Sequence, residues 1–493
     1  MNSSAAQDLV ERRLHPVGML LAALGTIRRW IGAAAFPGIA ALINGQFGMR
    51  TLLLVLLIAV MISVFSAVWG VLSWRATTYR VSGGAFHLKR GVLQKSERSL
   101  PVGRIQSVNT VQGVVQRLFR VVEVRVEAAG GGEEPEISLP ALSRNDARIL
   151  REELTRTRRA SGEVGEVLQE EPSPTVLRRL SVRNLLVAGM TSGQIGIAAS
   201  VVVGVSQTVD QLLPRDLAER FSEALLPRTV SAILLLVLAF VLFAWMLAIL
   251  GTVLAHAGFT LSRSSDGKYL HIKRGLFSRY ETTVPLARIQ AIKVVEGVLR
   301  QPFGLAAVRV ESAGFAEERG VSTILFPLLP RKDAEVFVRT AAPSFGVSLE
   351  DLKPLPARVR RRYALRAALP VLLVTTPAII FFFPWSLSIL LLALPAALYG
   401  LLRHQAAGHS LDGDRLVLRF RRLARTTVVA PRGRLQSRGY SVSPFQRRLG
   451  LATLEVEVAS GSGGAAFRLT DLEVVSAVDM VERLGPEVIA VEV

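Results

Sequence analysis

Three arginines recur at the same place in a short repeated phrase, and the guanidinium group has the chemistry to bind anions. The phrase reads PVGRIQ at 101–106, PLARIQ at 285–290 and PRGRLQ at 431–436. The planar fork of donors can hold a phosphate or a carboxylate in bidentate fashion. The same arginines could instead pair with the glutamate that closes a later strand of their own repeat, and so staple the domain. An arginine embedded in a strand signature favours the staple, and the glutamines suit polar pairing across a sheet. These signature residues are Arg104, Gln106, Arg288, Gln290, Arg434 and Gln436.

A second set of basic residues lies upstream of each phrase, on predicted hairpin turns. Each basic side chain near an anionic leaflet contributes about 1 kcal/mol of attraction, so a handful could hold a domain on lipid. A solvated basic rim is the alternative interpretation. We predict leaflet or partner contact, beside Arg425, for Lys89, Arg90, Lys273, Arg274, Arg419, Arg421 and Arg422.

Residues of catalytic and metal sites are sparse in the sequence. The chain has no cysteine, which excludes disulfides and thiolate chemistry, and it has six histidines. The sequence contains no H-E-x-x-H, no complete P-loop around Gly267-Lys268 and no G-x-S-x-G. His404 and His409 follow an apolar stretch and suit an interfacial structural role better than a metal site. We therefore expect no enzyme activity, no catalytic residues, no cofactor and no metal.

Composition and charge place much of the chain in a bilayer. Of the 493 residues, 50% are hydrophobic, yet the net charge is +20. This combination fits a protein divided between lipid and a basic aqueous face, whereas nucleic-acid binding would leave the long apolar runs unexplained. The segment 15–27 is too short to cross and is predicted to lie in the interface. The predicted spans are 51–74, 231–255, the small-residue-rich 184–207, the marginal 30–47, and 369–402 as two helices that meet at Pro384.

Charge predicts the orientation of these spans. Arginine clusters precede each pair, and the opposite loops carry little or mixed charge, so the positive-inside rule places the basic ends in the cytoplasm. The result is six helices in three hairpins, with three aqueous segments on one face. The clusters are Arg12-Arg13 with Arg28-Arg29, Arg178-Arg179 with Arg183, and Arg358 with 360–362.

The aqueous segments are three copies of one unit. The distance from the glutamine of the phrase to the glutamate that closes VRVE, VRVE or LEVE is the same in each copy. Alternating apolar residues predict strands, the QRL-like segments predict a short helical turn, and a helix such as 143–157 ends each copy, with Ser143 or Asn145 as its cap. Several strands followed by one helix predict a small β-barrel or two-sheet roll closed by its C-terminal helix. The fold class is therefore an α+β membrane protein.

The hairpin turns differ between copies. A glycine follows Lys-Arg at Gly91 and Gly275, where a tight turn is expected. In the third copy the aligned residue is Arg421, so the turn there must differ.

Membrane hairpins that alternate with these units resemble bacterial pleckstrin-homology-like membrane proteins, in the large form with three such domains. The resemblance covers nearly the whole chain and includes RLHP at 13–16, the P-x-x-R-I-Q phrase and the downstream QRL-x-G-L-x-x-V-x-V-E line. The first copy departs from that line at Phe119-Arg120. The resemblance implies a pleckstrin-homology-like (PH-like) fold at the cytoplasmic membrane, and it does not imply an enzyme.

The resulting hypothesis is a multi-pass protein of the cell membrane that presents three cytoplasmic PH-like domains at the inner leaflet. It would act as a scaffold or as a module that binds the lipid surface or another membrane protein, in a setting such as envelope stress, without nucleic acid. The alternative is a transporter or lipid-handling subunit gated by these domains, although charge-free span cores are untypical of ion paths. The predicted segments are 1–29 (interfacial), 30–75, 184–256 and 365–403 (membrane hairpins), 76–158, 257–342 and 404–493 (PH-like domains), and 159–183 and 343–364 (linkers).

Overall fold

The structure is a computed structural model of the chain. It describes residues 11–28, 49–128, 137–160, 174–192, 200, 230–312, 323–382, 390–460, 464–485 and 489–491. The chain divides near Thr283 into two compact units.

The first unit holds one sheet of four strands in chain order, β1 to β4, and one of seven strands in the order β7-β6-β5-β11-β10-β9-β8. The strands are β1 Arg12–Arg13, β2 Thr78–Ser82, β3 Ala85–Arg90, β4 Ser96–Pro101, β5 Ile105–Gln112, β6 Val121–Ala128, β7 Ile137–Ser143, β8 Thr175–Arg179, β9 Thr260–Arg263, β10 Tyr269–Arg274 and β11 Arg279–Pro285.

The second unit repeats this plan. Its seven-stranded sheet has the order β14-β13-β12-β18-β17-β16-β15, and its four-stranded sheet has the order β21-β20-β19-β22. The strands are β12 Ile289–Glu296, β13 Leu305–Ser312, β14 Thr323–Pro330, β15 Lys353–Pro354, β16 Gly408–Asp412, β17 Arg415–Arg421, β18 Arg425–Pro431, β19 Leu435–Ser441, β20 Leu451–Val458, β21 Ala465–Glu473 and β22 Ile489–Val491.

Each seven-stranded sheet is shared by two successive repeats. In the first, β5 of repeat one pairs antiparallel with β11 of repeat two, and Gln112 lies opposite Arg279. In the second, β12 of repeat two pairs with β18 of repeat three, and Glu296 lies opposite Arg425. A sheet edge that one repeat would leave open is therefore covered by its neighbour.

The P-x-x-R-(I/L)-Q phrase forms the corner at which the chain leaves one sheet and enters the next. Its central residues make a 3-10 turn in every copy, over Val102–Arg104, Leu286–Arg288 and Arg432–Arg434. The backbone N–H that follows the proline donates to the turn of the preceding hairpin in each case. These bonds join Val102 to Gly84 (2.9 Å), Leu286 to Lys268 (2.9 Å) and Arg432 to Asp414 (2.6 Å). The recurrence of the phrase thus has a structural cause, which is a tethered corner.

The helices of the described residues are α1 Val17–Arg28, α2 Met49–Arg75, α3 Val114–Leu118, α4 Arg144–Ala160, α5 Val182–Met190, α6 Val230–His256, α7 Ala334–Ala341, α8 Arg360–Phe382, α9 Ala393–Ala406, α10 Pro444–Arg447 and α11 Val474–Leu484. The predicted closing helix of the first repeat is α4, and its cap is Ser143, whose hydroxyl accepts from the Asp146 backbone N–H at 3.0 Å.

The first and third repeats each enclose a core between two sheets and the closing helix. In the first, Phe86 and Leu88 of β3 pack in one cluster with Val124 of β6 and with Leu150 and Leu154 of α4. In the third, strands β17, β18, β20 and β21 share a cluster with Met480 and Val481 of α11. The predicted roll closed by a helix is confirmed in these repeats.

Two helices of the described residues contain stretches long and apolar enough to cross a bilayer, Leu56–Arg75 and Leu234–His256. They correspond to two of the six predicted spans. The predicted span 30–47 lies outside the described residues, and 184–207 and 369–402 lie partly outside them.

The segments predicted as linkers contribute strands to the domains. β8 lies within 159–183 and pairs with β9, and β15 lies within 343–364 and pairs with β16. Likewise β1, in the predicted interfacial segment, pairs with β2. Strands of two to five residues carry too little alternation to be recognised in a sequence.

Candidate functional site

The basic residues that the sequence singles out lie near the ends of β3, β10 and β17 and not on turns as predicted, except for Arg422, and three hairpin turns follow these strands. We call them tip loops: 91–95 joins β3 to β4, 275–278 joins β10 to β11, and 422–424 joins β17 to β18. In the first two, the glycine after Lys-Arg has a positive φ, 113° at Gly91 and 105° at Gly275. A Cβ on either glycine would stand 1.9 Å from a backbone carbonyl oxygen of the same loop, so only glycine fits.

The third tip loop is built differently, as its sequence requires. Strand β17 continues through Arg421, which lies opposite Arg425 of β18. The turn closes with a hydrogen bond from the Arg422 backbone N–H to the Ala424 carbonyl at 3.2 Å.

Acidic neighbours partly neutralise the basic residues of the first two tips. The Lys89 ammonium lies 2.8 Å from the Glu11 carboxylate, and this hydrogen bond and charge lower the pKa of Glu11. Lys273 pairs with Glu281 at 2.7 Å, while the Arg274 guanidinium lies over the Tyr280 ring. Arg90 and Arg422 are exposed. The regions around the tip loops thus contain basic side chains paired with carboxylates and others that are exposed to solvent.

The tip loops also expose large apolar side chains that the sequence analysis missed. Leu93 is 87% exposed and Leu423 is 72% exposed, and Leu276 and Phe277 are exposed as well. Each lies between basic residues, as in KRGVLQK, KRGLFSR and RRLAR. The available signal was the presence of bulky apolar residues in turns, where glycine, proline, asparagine, aspartate and serine dominate.

The short helical turns that join β5 to β6, β12 to β13 and β19 to β20 expose further apolar residues. These turns are α3, the 3-10 turn Gln301–Phe303 and α10, and each was predicted from its QRL-like segment. A capping box between Ser443 and Gln446 fixes α10. The exposed side chains are Val114, Leu118, Phe119, Val298, Leu299, Phe303, Phe445 and Leu449.

A helical turn of one repeat lies beside the tip loop of the next. In the first unit, the Arg117 guanidinium of α3 donates to the Leu276 carbonyl at 3.1 Å. In the second unit, Arg421 donates to the side-chain oxygen of Gln301. Apolar side chains from two repeats are thereby gathered at each of these two places.

The tips and turns are tied to the ends of apolar helices. The backbone N–H groups of Gly275 and Leu276 donate to the carbonyls of Ala257 and Leu254, at 2.8 and 3.0 Å, where α6 ends. The Arg403 side chain, at the end of α9, donates to the Arg421 carbonyl at 3.2 Å. Arg362, at the start of α8, donates to the Phe445 carbonyl at 3.0 Å. These exposed apolar residues thus lie near the ends of α6 and α9 and near the start of α8.

The signature residues of the corner take varied positions. Arg104 and Gln436 are exposed, Arg288 and Arg434 are half-buried, and the side chain of Gln106 lies outside the described residues. Gln290 is buried and donates to the Arg288 carbonyl at 3.0 Å.

The glutamates at the ends of the VRVE-like strands form contacts with residues other than the arginines of the phrase. Glu311 is buried, pairs with Lys293 and accepts from the Ser460 hydroxyl at 3.1 Å. Glu457 accepts from the Ser437 hydroxyl at 2.9 Å. The predicted staple between these glutamates and the arginines of the phrase stays a prediction.

The two histidines that follow the apolar stretch 369–402 in the sequence have different surroundings. A ring nitrogen of His404 lies 3.1 Å from the Pro356 carbonyl. His409, on β16, is buried, and burial, helped by Lys353, lowers its pKa to about 4. Among the described residues, no three His, Asp or Glu side chains are grouped closely enough to hold a metal.

Comparison with known proteins shows the same threefold repeat. The family model described as "Bacterial PH domain" matches residues 20–158, 202–343 and 366–484. The chain is 33% identical over 466 residues to the UPF0699 transmembrane protein YdbT of Bacillus subtilis (strain 168), covering 92% of this chain and 93% of that protein. This relative is described as a transmembrane protein, in keeping with the apolar helices of this chain.

Proposed function

Because the chain belongs to the bacterial PH domain family and carries three such domains, we propose that it is a non-enzymatic membrane protein whose tip loops and helical turns rest in the interfacial layer of one leaflet. One observation carries the proposal. Exposed apolar side chains flanked by basic residues are held at the ends of apolar helices, as at Leu276 and Phe277 beside α6.

The energetics favour such contact. Full burial of a leucine or phenylalanine side chain stabilises by about 1.5–3 kcal/mol, and each basic residue near an anionic leaflet adds about 1 kcal/mol. A tip with one or two such apolar residues and two to three basic ones would therefore hold its repeat on the lipid without a shaped headgroup pocket.

The membrane part of the proposal comprises six helices in three hairpins, with the PH-like repeats in the cytoplasm. It is supported by the two apolar helices described here and by the charge of the segments that precede each pair. Positioned in this way, the repeats would form a scaffold at the anionic inner leaflet of the cell membrane, open to binding by another membrane protein.

The alternative of transport or lipid handling receives less support. The two apolar stretches, Leu56–Arg75 and Leu234–His256, have their titratable residues only at the terminal positions Arg75 and His256. A proton or ion path requires such groups at membrane depth.

The absence of cysteine makes a direct test possible, since a single introduced cysteine takes a label at one site only. Leu423→Cys in the full chain would carry an environment-sensitive fluorophore in nanodiscs that contain spin-labelled lipid. Asp414→Cys is the matched control, because it lies at the other end of β17, roughly 25 Å away at about 3.3 Å per residue.

We expect blue-shifted emission and strong quenching at position 423, and neither at position 414. Equal quenching at the two positions, or a water-like spectrum at both, would contradict leaflet contact.

A further inference from the structure

Charged side chains form a row across three strands at the junction of the second and third repeats. Arg421 of β17 lies opposite Arg425 of β18, and Arg425 lies opposite Glu296 of β12. Residues directly opposite share one face of the sheet, and like charges in such a pair are destabilising. Negative charge nearby would therefore stabilise the Arg421–Arg425 pair.

Glu296, the buried acid of this row, is already engaged. Arg425 binds it through two nitrogens, with Nε at 2.8 Å from Oε1. Arg331 places its Nε 3.7 Å from the same oxygen. Arg419 lies two residues before Arg421 on the same face of β17. Its charge interacts electrostatically with those of Arg331, Arg425, Glu296 and Glu350. Arg425 and Arg331 thus share the carboxylate of Glu296, and Arg419 and Arg421 place two further positive charges beside them.

Two of these arginines have unused donors. The Nε atoms of Arg419 and Arg421 are buried and have no hydrogen-bond partner among the described residues. A buried donor without an acceptor costs about 1–3 kcal/mol. Burial first, and then the neighbouring arginines, lower the pKa of both guanidinium groups.

The corresponding junction of the first unit carries different residues. The position of Glu296 is occupied there by Gln112, whose side-chain oxygen accepts from Arg144 at 3.2 Å. The positions of Arg419 and Arg421 are occupied by Lys273 and Gly275. Arginine at both of these positions is therefore not needed to join two repeats.

The cluster lies beside the end of helix α9. Arg403, in the last turn of α9, donates to the Arg421 carbonyl. An anion bound to Arg421 would therefore stand where the headgroup layer meets that helix.

We propose that Arg419 and Arg421, supported by Arg331, form a binding site for a phosphate group at the junction of the second and third repeats. Guanidinium forks match phosphate oxygens, and a bound anion would relieve the repulsion between Arg421 and Arg425. The phosphate belongs either to an anionic phospholipid headgroup or to free inorganic phosphate. Only the lipid source rests on the proposed function, because free phosphate could bind whether or not the tips touch a bilayer.

The test uses the full chain in nanodiscs of phosphatidylcholine. Thermal unfolding would be followed while inorganic phosphate or dioctanoyl-phosphatidylglycerol is titrated. The double variant R419Q/R421Q removes the site. R468Q/R483Q is the control, since it removes two charges from exposed arginines of the third repeat. Glu296→Gln provides a test in the opposite direction, and Gln112 shows that the fold accepts glutamine at this position.

We expect a saturable rise in melting temperature with at least one probe, an affinity roughly tenfold weaker in R419Q/R421Q, and no change in R468Q/R483Q. E296Q should bind several-fold more tightly, and it decides the question if the double variant does not fold. A response to dioctanoyl-phosphatidylglycerol alone assigns the lipid, and a response to inorganic phosphate assigns the phosphate group itself. No saturable response with either probe, or an equal response in wild type, R419Q/R421Q and E296Q, overturns the site. A water-exposed fluorophore at position 423 would refute leaflet contact alone.

Discussion

Gly400 of α9 lies directly against Tyr363 of α8, and a Cβ on the glycine would stand 2.3 Å from the Tyr363 carbonyl oxygen. Similar contacts occur where Gly70 of α2 meets the Met19 carbonyl of α1 and where Gly189 of α5 meets Ile249 of α6. Each of these three helix pairs is therefore packed closely at one glycine, as small residues allow.

Gly400→Ala should loosen the pair of α8 and α9. Because the clash is with backbone, it cannot be relieved by a rotamer change, and overpacking of this kind costs about 1–3 kcal/mol. The thermal unfolding of the full chain in detergent measures the effect. Gly251→Ala in α6 is the control, since nothing lies within 4 Å of the Cβ it would add. An equal melting temperature for both variants would contradict close packing at Gly400.

The buried Asp471 should be essential for the attachment of α8 to the third repeat. It is fully buried, accepts from the Gln446 amide at 2.8 Å and pairs with Arg362 and Arg366 at 3.4 and 3.3 Å. Because Arg362 and Arg366 are 19% and 44% exposed, the charges left behind stay partly solvated, and the loss is smaller than the ~3–5 kcal/mol of a fully buried pair. Asp471→Asn keeps the positive φ of 62°, which asparagine tolerates, and removes the charge alone. We expect Asp471→Asn to lower the melting temperature. Asp479→Asn, on the exposed face of α11, should leave it almost unchanged.

Some of this architecture was predictable from the sequence. Gly91 and Gly275 indicated the turns, and the capping residue Ser143 indicated the start of the closing helix. The equal spacing of the motifs indicated the repeat. These features depend on local backbone chemistry, which a sequence displays directly.

Other features depend on contacts between distant residues. The pairing of β5 with β11 and of β12 with β18 joins different repeats, and no short-range pattern encodes which edges meet. Arg362, interpreted by charge as a marker of the cytoplasmic side, is an ion-pair partner of Asp471, more than a hundred residues away. The exposure of Leu93 and Phe277 was not predicted, because a turn of four or five residues has no periodic pattern that indicates which side chains are buried.

Charge reversal at the second tip should lift it from an anionic leaflet. With K273E/R274E, two attractive charges become repulsive and Glu281 gains a like-charged neighbour, so roughly 2 kcal/mol or more of attraction is lost. A fluorophore at Phe277→Cys should be quenched less in phosphatidylglycerol nanodiscs. The control R148E/R156E reverses two exposed charges on α4 and should leave the quenching as it is. Undiminished quenching in K273E/R274E would refute the electrostatic part of leaflet contact.

The corner arginines should act on stability more than on lipid contact. Arg288→Ala removes a half-buried side chain of the 3-10 turn, whereas the aligned Arg104 is exposed. We expect R288A to lower the melting temperature by more than R104A does, with unchanged quenching of the label at position 277. A larger effect on quenching than on melting would make Arg288 a ligand residue.

His409 should make the third repeat sensitive to acid. Burial, followed by the charge of Lys353, lowers its pKa from 6.5 to about 4 in the folded protein. Between these values the unfolded chain binds more protons than the folded one, so stability is complete above about pH 6.5 and declines as the pH falls toward 4. The upper limit of the loss is about 3 kcal/mol, at about 1.4 kcal/mol per pKa unit. His409→Gln should flatten this part of the profile of melting temperature against pH, while His404→Gln serves as the control. A profile of the same slope in H409Q and in wild type would show that other groups carry the acid sensitivity.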